Sequence, residues 1–181
     1  MRNILMRFLK VKLLNKNQQG FLLIEVLGAL VIASLISLVV TMANAQVLKQ
    51  TSDNNNYTTA SRNTLNAIYW IGRDVQMAKT ITGTDGFPET ESLVLSWKTW
   101  DNNVHTANYT LVGSELQRTY IIDSGSPTTI VVAEYINPGE GLTYCTSDNG
   151  VVTLKITSSV GEGSETMDVS KIHKITSRPN L

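Results

Sequence analysis

The sequence predicts an α+β fold in which a long N-terminal helix, membrane-spanning in its first half, packs its second half on an antiparallel β-sheet. Three observations predict it. A basic leader gives way to an apolar run of 22 residues, Phe21 to Met42; a helical stretch with no proline before Pro88 continues from it; and short β-rich runs separated by turn signals fill the remainder. The expected organisation is a leader over 1–20, a membrane half of the helix over 21–42, an extramembrane half over 43–82, and a sheet over 83–181 belonging to the same single globular domain.

The leader MRNILMRFLKVKLLNKNQQG carries Arg2, Arg7, Lys10, Lys12 and Lys16 and no acid. Basic residues beside an apolar span stay on the cytoplasmic side, which sends the rest of the chain outward. A helix of 22 residues rises about 33 Å, enough to cross the hydrocarbon core. Its one ionisable group is Glu25. A carboxylate in such a run costs about 2.5 to 3.5 kcal/mol at mid-bilayer, so Glu25 requires a shallow depth or a partner. Its place, five residues after Gly20, provides both: cleavage after Gly20 would give Phe21 a new α-amine near the membrane surface, with which Glu25 of a neighbouring chain pairs. An ordinary signal anchor, with Glu25 snorkelling near a helix end, is the plainer reading. Ala43-Asn44-Ala45 is a further candidate cleavage site of small-x-small form that would release a soluble domain starting at Gln46, but the apolar run exceeds the 7 to 15 residues of a secretory core and contains an acid.

Within the span, Ala29, Ala33 and Ser37 recur every four residues, a small-residue row on which another helix approaches closely. The chain then continues as NAQVLKQTSDNNNYTTASRNTLNAIYWIGRDVQMAKTI. Helix is expected from about Phe21 to Thr80, either unbroken or with a soft joint near Asp53 to Asn56, where asparagine lowers helix propensity without the block a proline imposes. Leu65, Ile68, Ile71 or Gly72, Val75 and Ala78 form an apolar stripe, broadened by Tyr69 and Trp70, while Arg62, Asn66, Arg73 and Gln76 fall elsewhere. That stripe is expected to cover the sheet.

Beyond Gly83 the runs SLVLSWKTW, ANYTLV, LQRTYII, TTIVVAEYI and VVTLKITSSV read as strands. Val152, Leu154 and Ile156 alternate with Thr153, Lys155 and Thr157, giving one buried and one wet face. Turn signals at Asp85-Gly86, Asp101 to Asn103, Asp123 to Pro127, Asn137 to Gly141, Asp148 to Gly150 and Gly161 to Ser164 imply six or seven strands in one antiparallel sheet.

Gly20, Phe21 and Glu25, at the junction of charge step, polar stretch and apolar helix, resemble the class III leader of type IV pilins and type II secretion pseudopilins. The resemblance implies a pilin-like fold and a membrane aspartic peptidase that cuts after Gly20 and N-methylates Phe21. It also implies assembly through the N-terminal helix with sibling minor and major pilins or pseudopilins, on an inner-membrane assembly platform and in contact with membrane lipid. Arg73, Asp74 and Ala78, in the segment RDVQMA, are similar to the RDxxxA of J-type minor pseudopilins and W-type minor pilins; the alternative there is a solvated Arg-Asp pair beside a core alanine. K-type subunits lack the glutamate and fit poorly. Two features depart from many major pilins: the span has no proline, and Cys145, as the only cysteine, cannot form an intrachain disulfide.

Composition points away from other classes. Of fifteen basic residues five lie in the leader, leaving ten against fifteen acidic ones, a net charge of −5 beyond it. Only Lys171, His173 and Lys174 cluster, so no nucleic-acid partner is predicted. His105 and His173 have no metal-ligand spacing with Cys145, and Asp85, Glu89 and Glu91 lack an EF-hand pattern. With no nucleophile turn of GxSxG type, neither cofactor, metal nor catalysis is expected. The expected location is the cytoplasmic (inner) membrane, crossed once with the domain outside, and then a filament of the cell envelope. The reading from another class is a secreted or membrane-anchored β-rich binding domain.

Overall fold

The computed structural model describes residues 19–177, so the basic cluster from Arg2 to Lys16 lies outside the described residues. One helix, α1 (Gln19–Met77), is followed by β1 (Thr80–Thr82), β2 (Leu93–Lys98), β3 (Val104–Val112), β4 (Glu115–Ile122), β5 (Thr128–Ala133), β6 (Tyr144–Asp148), β7 (Val151–Val160), a short 3-10 turn (Gly163–Glu165) and β8 (Met167–Thr176). The fold is α+β and pilin-like, and the chain divides into two units, 1–51 and 52–181.

In the first unit α1 is apolar all round. Large side chains from Leu23 to Leu48 are more than half exposed on every side of the helix, a distribution that belongs to a helix surrounded by lipid or by other helices. The hydroxyls of the span donate to carbonyls of the preceding turn: Ser34 Oγ to Val31 O, Ser37 Oγ to Ala33 O and Thr41 Oγ1 to Ser37 O, each at 2.8 Å. Such back-bonding removes their need for water. This is the one helix among the described residues long and apolar enough to cross a membrane.

In the second unit α1 passes Asp53 to Asn56 without a break. Its buried positions are Ala60, Thr64, Ala67, Ile71, Gly72, Asp74 and Val75, and Ala78, just past its end, is buried as well. Leu65, expected in the stripe, is instead 46% exposed. A residue turns 100° from its neighbour on a helix, so once Thr64, Ala67 and Ile71 face the sheet, Leu65 is carried to the flank. Thr64 and Ala67, though smaller, let the helix sit close: Thr64 Oγ1 donates to Val169 O at 3.1 Å, and Asn63 Oδ1 accepts from Glu134 N at 2.9 Å. The helix ends at Met77 rather than near Thr80, because Lys79 N donates to Ser96 O (2.8 Å) and Thr80–Thr82 pair with β2 as a strand. Gly83, at φ +77°, turns the chain away where a Cβ would lie 2.0 Å from Ser92 O.

The eight strands among the described residues exceed the six or seven expected and form two antiparallel sheets rather than one. β1 to β5 lie in sequence order, β6-β7-β8 form the second sheet, and the bridge Ile136↔Ser158 connects them. The excess comes from β1, which reads as helix end, and β6, which is cut from the runs on either side by turns. Opposite residues Leu93, Tyr109, Arg118 and Ile130 line one row across β2 to β5. The core joins Ala67, Ile71 and Val75 of α1 to Leu93, Leu95, Tyr109 and Leu116 of the first sheet and Val152, Leu154 and Ile156 of the second. Thr157, assigned to the wet face by alternation, is buried, because the segment before β6 covers it: Thr157 N donates to Thr143 Oγ1 at 3.2 Å and its Oγ1 to Leu142 O.

Ile71 is wholly buried at the helix-sheet contact. Ile71→Ala is expected to lower the unfolding free energy by about 2–5 kcal/mol, read from denaturant unfolding followed by tryptophan fluorescence.

Candidate functional site

Two groups of residues carry the chemistry of this chain, one in each unit. The first is the opening of α1. The backbone of Gly20 and Phe21 is helical. Glu25 is exposed, with no ion-pair partner among the described residues. It begins a row that steps four residues at a time through Ala29, Ala33 and Ser37, all exposed. Positions four apart fall on one helix face, so one flank offers a carboxylate followed by three small side chains. A second helix laid along that flank meets a charge at one end and close backbone approach beyond it.

The second group is built on Asp74, which is 0% exposed. Its Oδ2 accepts from Arg118 Nε and from the Tyr109 hydroxyl, both at 2.6 Å, and its Oδ1 accepts from Arg73 Nη2 at 3.2 Å and Nε at 3.3 Å. The elements dictate this meeting. In β3 and β4 alternate residues face the helix, and the register sets Tyr109 opposite Arg118; in α1, Asp74 lies one turn beyond Ile71 and so projects onto that row. The Arg118 guanidinium carbon lies 4.5 Å from the Tyr120 ring centre and 5.3 Å from that of Trp70, while that of Arg73 lies 4.2 Å from Trp70. Aromatic faces of this kind stabilise cations taken from water.

Protonation follows from these contacts. Burial, seconded by the negative charge and hydrogen bond of Asp74, raises the Tyr109 hydroxyl well above its ordinary value, so it remains a donor. Burial alone would lower Arg118, but its hydrogen bond with Asp74 and the charge of that carboxylate prevail, and the net shift is upward. Asp74 thus accepts four hydrogen bonds from three side chains and fastens α1 to β3 and β4.

The structure thus separates the expected site residues. Gly20, Phe21, Glu25, Ala29, Ala33 and Ser37 lie in the first unit, and Arg73, Asp74 and Ala78 in the second. Arg73 and Asp74 do form a pair, but Asp74 is buried, not solvated, and Ala78 beside it is core. Sequence reading passed over Arg118 and Tyr109. The signal existed: in LQRTYII, Arg118 shares parity with Leu116 and Tyr120, so strand alternation puts a charge on the buried face, and a buried charge demands a partner. His105 shares hydrogen bonds with Thr99 Oγ1 (3.0 Å) and the Tyr120 hydroxyl and stacks on Trp97 at 5.7 Å, whereas His173 is exposed on β8. Asp85, Glu89 and Glu91 are exposed, and no group of three metal-ligating side chains occurs among the described residues. Cys145 is buried, and that burial pushes its thiol up to about 12. No family model matches the chain, and no curated protein or solved structure matches it.

Asp74→Leu leaves Arg118 buried without its counter-charge and should cost about 3–5 kcal/mol, whereas Asp74→Leu combined with Arg118→Met should cost less than either single change; denaturant unfolding of the wild type, the two single variants and the double variant measures the difference. Cys145 should stay unlabelled by a thiol reagent at pH 8 in the folded protein and react on denaturation, read by intact mass.

Proposed function

We propose that this chain is a minor pilin or pseudopilin, a structural subunit rather than an enzyme. In this reading it enters the cytoplasmic membrane with its leader inside, is cut by a prepilin peptidase between Gly20 and Phe21, and is N-methylated on Phe21. It then joins a type II secretion pseudopilus or type IV pilus through α1. The observation that carries the reading is the form of α1 from Leu23 to Leu48: apolar on every side, with one carboxylate at its opening and a folded β-rich unit further along the chain.

The chemistry of assembly follows from that form. While a chain stands alone in the membrane, Glu25 bears a desolvation cost that a neighbour's new α-amine removes. Docking two helices along the row Glu25, Ala29, Ala33 and Ser37 neutralises the charge and brings backbones together over small residues. The bulky apolar side chains around the remainder of the helix exchange lipid for other helices. Similarity of Arg73, Asp74 and Ala78 to the J-type and W-type segment supports a place among the minor subunits, and Glu25 argues against the K type.

Glu25→Ala should leave membrane insertion and leader cleavage intact while reducing recovery in sheared filaments at least tenfold, measured by quantitative immunoblot; normal recovery would remove the assembly mechanism. Gly20→Glu should abolish cleavage, and a mature protein of unchanged mass would refute the processing site.

A further inference from the structure

Arg118 is buried more completely than its hydrogen bonds account for. A guanidinium carries five N–H donors. Arg118 is only 6% exposed, yet among the described residues the one acceptor it meets is Asp74 Oδ2, reached by Nε at 2.6 Å. The Tyr109 hydroxyl beside it gives its own hydrogen to the same carboxylate oxygen. Neither Nη of Arg118 is sealed from solvent, for the wholly buried, unpartnered side-chain atoms among the described residues are Asn108 Oδ1 and Ser158 Oγ. The fork of the guanidinium therefore ends at an opening. Its walls are Trp70 and Tyr120, both partly buried, and on the β5 side Ile130, which stands opposite Arg118 and is 38% exposed.

Charge is out of balance at the same place. Arg73 and Arg118 share one carboxylate, Asp74, and among the described residues no other acid pairs with either. With the Tyr109 phenol neutral, two cations and one anion leave this group with a net charge of +1, although the chain beyond the leader sums to −5. Arg73 turns one edge, Nε and Nη2, toward Asp74 Oδ1. Its other edge, formed by Nη1 and the second hydrogen of Nη2, meets no acceptor among the described residues, on a side chain 39% exposed and stacked on Trp70.

We propose that Arg118 and Arg73, walled by Trp70 and Tyr120, form a binding site for a carboxylate, borne by a small free acid or by an acidic side chain of another polypeptide. The planar fork of a guanidinium matches the two oxygens of a carboxylate. One negative charge brings the group to neutrality, whereas a dianion such as sulfate overshoots it. The aromatic walls hold both cations in place before the anion arrives, which lowers the ordering cost of binding, and they accept the carbon that bears the carboxylate. Every residue invoked lies in the sheet-packed unit, so the site rests on nothing in the assembly reading above.

The test uses the full chain in detergent micelles and follows the indole N–H resonance of Trp70, identified by its loss in Trp70→Phe. Sodium acetate replaces sodium chloride at constant ionic strength and neutral pH. The Trp70 resonance should shift saturably, while that of Trp100, 98% exposed, should not. Arg73→Gln should weaken acetate binding about tenfold, the loss of one charge-assisted hydrogen bond. Arg118→Lys keeps a cation beside Asp74 but lacks the fork, and should abolish binding; circular dichroism checks both variants for an unchanged fold, and Arg73→Gln carries the test if Arg118→Lys does not fold. Lys171→Gln, at an exposed cation of β8, should change nothing. Glutamate blocked at its α-amine and α-carboxyl identifies the source: its binding, with blocked glutamine inert, upholds the site for an acidic side chain, and binding of acetate alone upholds it for a small free acid. The proposal is overturned by the absence of a saturable shift, which leaves water on the Nη groups, by equal binding to Arg73→Gln, or by sulfate binding as tightly as acetate.

Discussion

A carboxylate with no access to water stands at the centre of the sheet-packed unit, and the surrounding structure is organised by the need to satisfy it. Asp74 cannot be buried alone; taking such a charge from water without partners costs several kcal/mol. It draws a guanidinium from β4, a phenol from β3 and a second guanidinium from its own helix. Each partner brings constraints of its own. Arg118 has to be buried on the helix-facing side of the sheet, so it is bracketed by Trp70 and Tyr120; Tyr120 in turn is tied to His105, which stacks on Trp97. The hydrophobic contacts around Ile71 and Leu95 supply most of the stabilisation but are non-directional. The Asp74 contacts are directional, and they fix how far the helix sits along the sheet and which way it is rotated.

The other unit meets the opposite problem. From Leu23 to Leu48 the helix has no polar centre to fasten on, its hydroxyls bonded within the helix and its apolar side chains spread over the whole circumference. Glu25 breaks this uniformity at one height and on one side. The two carboxylates therefore stand in contrast. Asp74 is answered from within the chain, while Glu25 has no ion-pair partner among the described residues.

Much of this was legible in the sequence because it depends on short-range pattern. The apolar run, the strand alternation of Val152, Leu154 and Ile156 and the turn residues are local signals, and the elements they imply are present. What was missed depends on register between distant segments. Periodicity identifies a stripe over Leu65 to Ala78, but the choice between Leu65 and its neighbour Thr64 is made by the Val169 carbonyl, 105 residues away. The two sheets are likewise a tertiary outcome: nothing in TTIVVAEYI marks that the chain leaves the first sheet after Ala133 and touches the second at Ile136. The role of Asp74 lay between these cases. The RDVQMA segment drew notice to it, and the parity of Arg118 pointed to a buried cation, but bringing the two together required the fold.

The spacing of that pair along the chain governs the order in which the molecule can be made. Asp74 leaves the ribosome ahead of Tyr109 by 35 residues and ahead of Arg118 by 44. During that interval the second half of α1 carries a carboxylate whose chief partners do not yet exist, and it has no sheet on which to lie. The cluster around Asp74 can therefore close only after β4 has been made, when the whole of α1 is already synthesised.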